Sequence, residues 1–184
     1  MTYRKLLRDQ ALDQRGFITT RDAQDLGIPP VELRKIAARG GLDNVAYGLY
    51  RIPDAPRTDL DQYAEAVLRV GRDAYLTHDA VLAVHHLAQV NPSKIRVATP
   101  YRIRSGLPGY IQIEHRHLPE HDLMVYEGIP STTVARALLD CRGLVMPDRL
   151  RDALRQAEQQ GLVTRREAAR LRVGRRETAA GKTR

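Results

Sequence analysis

The sequence is poor in cysteine and in aromatic residues, and it has no long apolar run. Its 184 residues include one cysteine, Cys141, one phenylalanine and no tryptophan. A single cysteine excludes an internal disulfide and a cysteine-based zinc site, and it is typical of proteins from a reducing compartment. No stretch approaches the ~20 apolar residues of a membrane span, and the amphipathic N-terminus does not resemble an export signal. We therefore expect a soluble cytoplasmic protein with an aliphatic core and no membrane contact.

Motifs for catalysis and cofactor binding are also missing from the sequence. It contains no Gly-x-x-x-x-Gly-Lys phosphate loop, no dinucleotide fingerprint and no EF-hand loop. Ser131 follows Pro130 instead of lying in a Gly-x-Ser-x-Gly elbow, which argues against a hydrolase nucleophile. His115, His117 and His121 are the best metal candidates, because alternate residues of a strand share a face, but exposed histidines without a metal are the simpler hypothesis. We predict no enzymatic activity, no metal site and no cofactor.

Positive charge is abundant and unevenly distributed. The net charge is +8, with an isoelectric point near 10, which favours a polyanionic partner. Residues 1–52 hold nine basic and six acidic side chains, residues 53–146 hold ten and eleven, and residues 147–184 hold eleven and five. The middle of the chain is therefore not a nucleic-acid surface by its overall charge.

The stretch from Gly16 to Ile52 predicts two short helices, a tight break at 27–30 and a hairpin. Prolines 29 and 30 open the second helix, and glycines 40 and 41 end it. Its apolar side holds Leu33, Ile36 and Ala37, and its other side holds Val31, Arg34, Lys35 and Ala38, with Arg39 at the flank. Such a face suits a major groove, where arginine binds guanine, small apolar groups meet thymine methyls and cations neutralise phosphates. An ordinary solvated basic face is the alternative.

The neighbouring segments favour the DNA-binding interpretation. Thr19 or Thr20 can cap a short helix that Gly27 ends, and residues 42–45 and 49–52 predict a hairpin around 46–48. Helix, break, helix and hairpin together predict a winged helix-turn-helix. The residues predicted to contact bases are Val31, Arg34 and Lys35. Those predicted to contact the phosphate backbone, in part from the wing, are Thr20, Arg21, Arg39, Asn44, Tyr47 and Arg51.

The predicted fold class is α+β, with the winged helix-turn-helix followed by a mixed domain of a small sheet and several helices. Residues 1–52 form the DNA-binding domain, 53–59 a proline-containing linker, 60–173 the α+β domain and 174–184 a basic disordered tail. Pro130 is expected to end the strand region of the second domain.

Three segments carry a resemblance to a known family. They are the run from residue 16 to 53, the Leu-Thr-His at 76–78, and GIPSTTVARALLD at 128–140. Together they resemble the AbiEi-type antitoxins of bacterial type IV toxin–antitoxin pairs, over nearly the whole chain. One departure is Asn44, where the wing of the family often carries a basic residue.

The resemblance implies an autorepressor that binds its own promoter as double-stranded DNA and counteracts a nucleotidyltransferase-like toxin encoded beside it. We expect inverted repeats in the operator, and a protein that is monomeric or weakly self-associating on DNA. Three alternatives remain. One is a stand-alone winged-helix transcriptional regulator whose second domain binds a ligand or partner, and another is a protein–protein adaptor that does not bind DNA. The last is a vestigial enzyme, which only the histidines of the predicted strand support.

Overall fold

The structure, a computed structural model, describes residues 2–87, 92–103 and 106–180, which form a mixed α+β fold. This confirms the predicted class. The helices in this part of the chain are α1 Tyr3–Asp13, α2 Thr20–Asp25, α3 Pro30–Ala38, α4 Asp61–Val70, α5 Asp79–Val84, α6 Val134–Asp140, α7 Pro147–Gln159 and α8 Arg165–Ala180. The strands are β1 Phe17–Thr19, β2 Asp43–Ala46, β3 Leu49–Arg51, β4 Tyr75–Leu76, β5 Ile95–Thr99, β6 Ile111–His115, β7 Leu123–Tyr126 and β8 Ile129–Thr132.

Local sequence signals determine where the N-terminal helices begin and end. Thr19 caps α2 in a capping box, because its hydroxyl accepts a hydrogen bond from the Asp22 N–H while the Asp22 carboxylate accepts one from the Thr19 N–H. The chain then turns at Gly27, whose φ of +72° suits glycine. Pro30 at the first position of α3 needs no hydrogen-bond partner for its nitrogen. Thr19 is one of the two caps predicted from the sequence, and the bounds of both helices agree with the prediction to within one residue.

The N-terminal sheet has the strand order β1-β3-β2 and is antiparallel throughout, and β1 and β3 carry buried residues on both of its faces. Neighbouring residues of a strand point to opposite faces. Ile18 and Tyr50 pack into an apolar core formed with α1, α2 and α3. Phe17 and Leu49 instead belong to the larger core formed with the rest of the chain. The hairpin predicted from the sequence is present, β1 joins it as a third strand, and the sheet they form lies between two cores.

The second sheet has the order β6-β5-β4-β8-β7 and mixes parallel and antiparallel pairs. Pro130 does not end the strand region as predicted, because it lies within β8. A proline is tolerated there since β8 pairs with β4 only through Leu76↔Ser131, so the missing N–H is not needed on that side. Helices α4 to α8 contribute to the larger core against this sheet.

The ends of the later helices agree only partly with local signals. The N-cap of α5 is His78, at φ +54°, while α7 begins at Pro147 after Met146. Thr164 and Glu167 form a capping box at the start of α8. Helix α8 runs to Ala180, beyond residue 174 where the sequence placed the start of a disordered tail, and residues 181–184 lie outside the described part of the chain.

The predicted linker is packed against the N-terminal core. Residues 53–59 form no helix or strand, yet Ala55 is buried in the core of α1, α2 and α3. A hydrogen bond also joins the hairpin to the first helix after the linker: the Arg69 guanidinium of α4 donates to the Val45 carbonyl at 2.9 Å. The first 52 residues are therefore held against α4 by both apolar and polar contacts. Within the described residues, no helix has the length and apolarity to cross a membrane.

Candidate nucleic-acid interface

Helix α3 presents one side to the core and the other to solvent, as its periodicity predicts. Leu33 is 1% exposed, and Ile36 and Ala37 pack partly buried against the same core. The opposite side carries the exposed residues Val31, Arg34, Lys35, Ala38 and Arg39, which we call the basic face of α3. Val31 is 49% exposed, which is a high value for a large apolar side chain. One side of the helix is thus packed on the core, and the opposite side is accessible to a ligand.

The two central cations of this face differ in their surroundings. Arg34 lies along its own helix, where its Nε donates to the Pro30 carbonyl at 3.4 Å, and no described carboxylate forms an ion pair with it. Lys35 pairs with Glu32 at 2.8 Å. Because an exposed pair one helical turn apart contributes little free energy, the Lys35 ammonium can exchange Glu32 for another anion at small cost. This ion pair was not predicted from the sequence.

The hairpin turn is tied to the start of α2. The Thr20 N–H and hydroxyl both donate to the Gly48 carbonyl, at 2.8 Å and 3.3 Å. A side chain at Gly48, where φ is +69°, would bring its Cβ to 3.2 Å from the Thr20 hydroxyl oxygen, so this close approach requires glycine. Tyr47, at the tip of the turn, is fully exposed. The turn therefore projects Tyr47 into solvent from a fixed base, while the Thr20 hydroxyl is already engaged.

The other residues predicted to contact DNA occupy different positions around this turn and the two helices. Asn44 is exposed on β2 opposite Tyr50. Arg21 is exposed on α2, and its guanidinium lies 3.9 Å from the Asp25 carboxylate. Arg39 is exposed at the C-cap of α3. All three are accessible to a large ligand.

Arg51 is the exception, and its prediction as a DNA contact is corrected by the structure. It is only 6% exposed, with its guanidinium carbon 4.9 Å from the centre of the Phe17 ring. Its nitrogens donate to the carbonyls of Arg15, Ala55 and Pro56 and lie 2.9 Å from the Asp61 carboxylate. A guanidinium enclosed in this way is not available to a phosphate. Its position in β3 places it on the same face as Leu49, which points away from solvent.

Two basic residues of α1 were left out of the predicted site. Arg4 and Lys5 are exposed, and a Cβ built on Gly41 would lie 3.2 Å from the Arg4 Nη2. The Arg4 guanidinium therefore reaches the turn that follows α3, where a groove of about 480 Å³ separates this turn from α1. The sequence indicates that both residues are exposed, because they do not lie on the apolar side of α1. Arg8, also off the stripe, is instead paired with Asp54 at 2.7 Å.

The candidates for catalysis and metal binding do not converge on a site. His115, His117 and His121 are exposed, and no three described histidine, cysteine or acidic side chains are grouped so as to hold a metal. Ser131 is fully buried in β8. Burial also raises the pKa of the Cys141 thiol to about 12, which disfavours the thiolate needed for nucleophilic chemistry.

The protonation state of His85 differs from the one that its position in the sequence suggests. At the C-terminal end of α5 a protonated imidazole would be favoured by the helix dipole. The structure instead buries His85 with its ring centre 4.0 Å from that of Tyr126, and its Nε2 has no hydrogen-bond partner. Burial lowers the pKa of His85 below its ordinary value, so the neutral form is favoured.

Comparison with known proteins yields a structural neighbour and no family. No family model matches the chain, and no curated protein matches it. Among solved structures, the crystal structure of the RV2827C protein from Mycobacterium tuberculosis is similar, with a TM-score of 0.50 and 14% sequence identity. The likeness covers 95% of this chain and 72% of that one. At this identity it shows a shared mixed α+β fold over most of the chain.

Proposed function

We propose that this protein is a DNA-binding repressor whose first 52 residues form a winged helix-turn-helix. The observation that carries the proposal is the basic face of α3, which is exposed while Leu33 fixes the helix from beneath. The order of elements also supports it, since a helix, a strand, two helices and a two-stranded hairpin follow one another within residues 3–51. In this arrangement α3 enters the major groove and the β2–β3 turn lies beside it.

The dimensions of α3 suit this role. An α-helix with its side chains is about 10–12 Å across, which fits the ~12 Å width of the major groove of B-DNA, and the nine residues of α3 provide about 13 Å of helix to place in it. Arg34 has no carboxylate partner in the described structure, so its guanidinium can form the two parallel hydrogen bonds that guanine offers. Val31 supplies an apolar group for a thymine methyl. We assign these two residues to base contacts, with Lys35 adding either a base or a phosphate contact.

Phosphate contacts are proposed on both sides of α3. Arg39 lies at its end and Arg4 reaches the turn that follows, while Tyr47 and Asn44 lie on the hairpin. A phenolic hydroxyl and an amide both donate hydrogen bonds to phosphate oxygens, so the wing does not need a cation to contact the backbone. Arg51 plays no part in this interface.

We further propose that the repressor is the antitoxin of a toxin–antitoxin pair and has no catalytic role. Support comes from the resemblance of the segments 76–78 and 128–140 to AbiEi-type antitoxins. These two segments are adjacent in space, because Leu76 of β4 pairs with Ser131 of β8. They therefore form one structural feature of the second sheet, which would be expected if they serve one purpose.

The DNA-binding proposal is tested by titrating fluorescent DNA from upstream of the gene with the full chain and measuring anisotropy. Arg34→Ala should weaken binding by roughly 1–3 kcal/mol, which is about 5- to 150-fold, and relax the preference at one base pair. The matched control is Arg57→Ala, an exposed arginine with no ion pair to a described residue. Equal affinities for the wild type and the Arg34 variant would show that α3 does not bind in the major groove.

The antitoxin proposal requires a separate experiment. A neighbouring gene for a nucleotidyltransferase-like protein should arrest growth when expressed alone, and coexpression of this chain should restore growth. The double variant R34A/K35A should lose repression of a promoter fusion. If the two activities are separable, as proposed, it should still rescue growth. Failure of the wild-type chain to rescue would favour the stand-alone regulator.

A further inference from the structure

Helix α8 presents a cationic surface that is separate in the sequence from the basic face of α3. Within residues 165–172, Ala168 is buried in the larger core and Leu171 packs against that core. The opposite side of this segment consists of four exposed residues, which we call the outer face of α8: Arg165, Arg166, Ala169 and Arg170. Three of the four side chains are therefore cations that point into solvent.

The charges of the outer face are not neutralised by the described part of the protein. Arg172 of the same helix pairs with Glu158 of α7, but the three arginines of the outer face form no ion pair with a described residue. Glu167 is the one acidic residue within 165–172, and its carboxylate accepts hydrogen bonds from the Thr164 N–H at 2.8 Å and the Thr164 hydroxyl at 2.6 Å. These hydrogen bonds, and to a smaller extent the nearby charge of Arg170, lower the pKa of Glu167. The carboxylate is thus engaged in the capping box.

The placement of these arginines disfavours the helix that carries them. Arg165 and Arg166 lie in the first turn of α8, where the positive end of the helix dipole repels cations. Arg166 and Arg170 are four residues apart, so like charges are neighbours on the helix surface. Features that oppose local stability without internal compensation are expected at functional positions. An external anion would supply the missing compensation.

The density of positive charge on the outer face matches that of a nucleic-acid backbone. Residues 147–184 hold eleven basic and five acidic side chains, and so contribute +6 to the net charge of +8. The three arginines of the outer face lie within about 7.5 Å of helix, at a mean rise of about 3.8 Å. Successive phosphates of one DNA strand are about 3.4 Å apart along the duplex axis. Each guanidinium can donate two parallel hydrogen bonds to phosphate oxygens.

The composition of the outer face distinguishes between possible polyanions. A protein partner is normally bound through aromatic or large aliphatic anchors, and the small Ala169 is the one apolar residue of this face. A membrane surface would require an exposed apolar side on the helix, but the apolar side of α8 is packed on the core. Phosphate contacts on a duplex need only charge and hydrogen-bond donors.

From the unpaired arginines, their cost to the helix and their spacing, we propose that the outer face of α8 is a second contact surface for the phosphate backbone of duplex DNA. The proposal rests on the DNA-binding function proposed above, because it assigns both surfaces to the same polyanion. The basic face of α3 reads base sequence, whereas the outer face of α8 adds affinity that does not depend on sequence.

The test measures the anisotropy of a fluorescent random-sequence duplex titrated with the full chain over a series of salt concentrations. The variant R165Q/R166Q/R170Q should reduce the magnitude of the slope of log affinity against log salt by up to about 2.7, since each phosphate contact contributes about 0.9. The affinity at about 0.1 M salt should fall at least about tenfold. An unchanged slope, or no binding of the duplex by the wild type at low salt, would overturn the proposal.

A control with the same change of net charge separates a local contact from general electrostatic attraction. The variant R57Q/K94Q/R102Q removes three exposed cations that form no ion pair with a described residue. Its slope should stay close to that of the wild type. If this control loses as much of the slope as the α8 variant does, the outer face is not a contact surface.

Two further measurements separate a phosphate contact from a role in the fold. The variant R165K/R166K/R170K retains the charges, so its salt slope should match that of the wild type, and a slope as low as that of the glutamine variant would overturn the proposal. The glutamine variant should melt at or above the wild-type temperature, because it removes repulsion within α8. A lower melting temperature would assign the arginines to the fold instead.

The two DNA-binding surfaces can fail independently. The α8 variant R165Q/R166Q/R170Q should weaken binding to the promoter and to random DNA alike. The α3 variant R34A/K35A should lose the preference for the promoter and keep the contribution of α8 to random DNA. An unchanged promoter preference in the α3 variant would contradict the proposed function, whereas an unchanged salt slope in the α8 variant would contradict only the second surface.

Discussion

Arg51 in β3 and Asp61 in α4 form an ion pair of 2.9 Å that connects the N-terminal sheet to the first helix of the second unit. Both side chains are largely buried. The contact is an ion pair without a hydrogen bond, since the same Nη2 already donates to the carbonyls of Ala55 and Pro56. One guanidinium therefore fixes the linker and α4 together.

Replacing Arg51 should be strongly destabilising. Arg51→Met leaves a carboxylate and several carbonyls without their partner in a buried region, and breaking a buried pair in this way typically costs about 3–5 kcal/mol. Urea denaturation should show a loss of this order in the free energy of unfolding. Arg57→Met, on the exposed part of the linker, should change stability by less than about 0.5 kcal/mol. A loss of less than about 1 kcal/mol for the Arg51 variant would show that the pair contributes little.

The basic residues of α1 should affect DNA binding differently from Arg34. Each phosphate contact contributes about −0.9 to the slope of log affinity against log salt concentration. Arg4→Ala should therefore reduce the magnitude of that slope by about 0.9 and weaken binding to the promoter and to random DNA alike. Arg34→Ala should act mainly on the promoter. If Arg4→Ala leaves the slope unchanged, α1 does not contact the backbone.

Stability should fall as the pH is lowered below about 6.5 because of His85. Burial, and to a lesser extent the neighbouring His86, lowers the pKa of His85 from the ordinary value of 6.5. The unfolded chain then binds more protons than the folded one, so stability is constant above this pH and decreases below it, by up to about 1.4 kcal/mol per pH unit. Thermal melts between pH 7.5 and 5 measure this dependence.

The contribution of His85 can be separated from that of other histidines. His85→Met removes the titrating group and fills a similar volume, so the pH dependence should become shallower. The exposed His117→Gln variant should retain the wild-type dependence. His78 should also contribute to the dependence that remains, because burial lowers its pKa as well. An identical pH profile for the wild type and the His85 variant would contradict this account.

Cys141 should be unreactive in the folded protein. Its side chain is fully buried, and burial raises the pKa of the thiol to about 12, so very little of it is ionised at pH 8. Ellman's reagent should therefore react at the rate of unfolding in buffer, and rapidly with one equivalent in urea. Fast reaction without denaturant would show that α6 opens locally at its C-terminal end.

Features set by neighbours in the sequence were predictable, and α3 is the clearest case. Prolines at its start, glycines at its end and apolar residues three and four positions apart determine its bounds and its buried side. The capping boxes at Thr19 and Thr164 follow from the same kind of local pattern. These signals act within a few residues, so a sequence alone contains them.

Features that depend on distant residues were missed. Arg51, the one basic residue of the hairpin, was predicted to contact DNA, but its environment is determined by Asp61 and by carbonyls of the linker. The strand β8 continues through Pro130 because β4 pairs with β8 at one position only.

The two-faced N-terminal sheet has a consequence for dissecting the protein. A fragment ending at residue 52 would keep the core beneath α3 but would leave Phe17 and Leu49 uncovered, since both belong to the larger core. It would also keep the Arg51 cation without the Asp61 carboxylate. Such a fragment should aggregate and be poorly soluble. The smallest fragment expected to fold on its own is a longer one that retains α4. The boundary of the smallest folded fragment is therefore set by the contacts between the N-terminal sheet and α4, and not by the prolines of the linker.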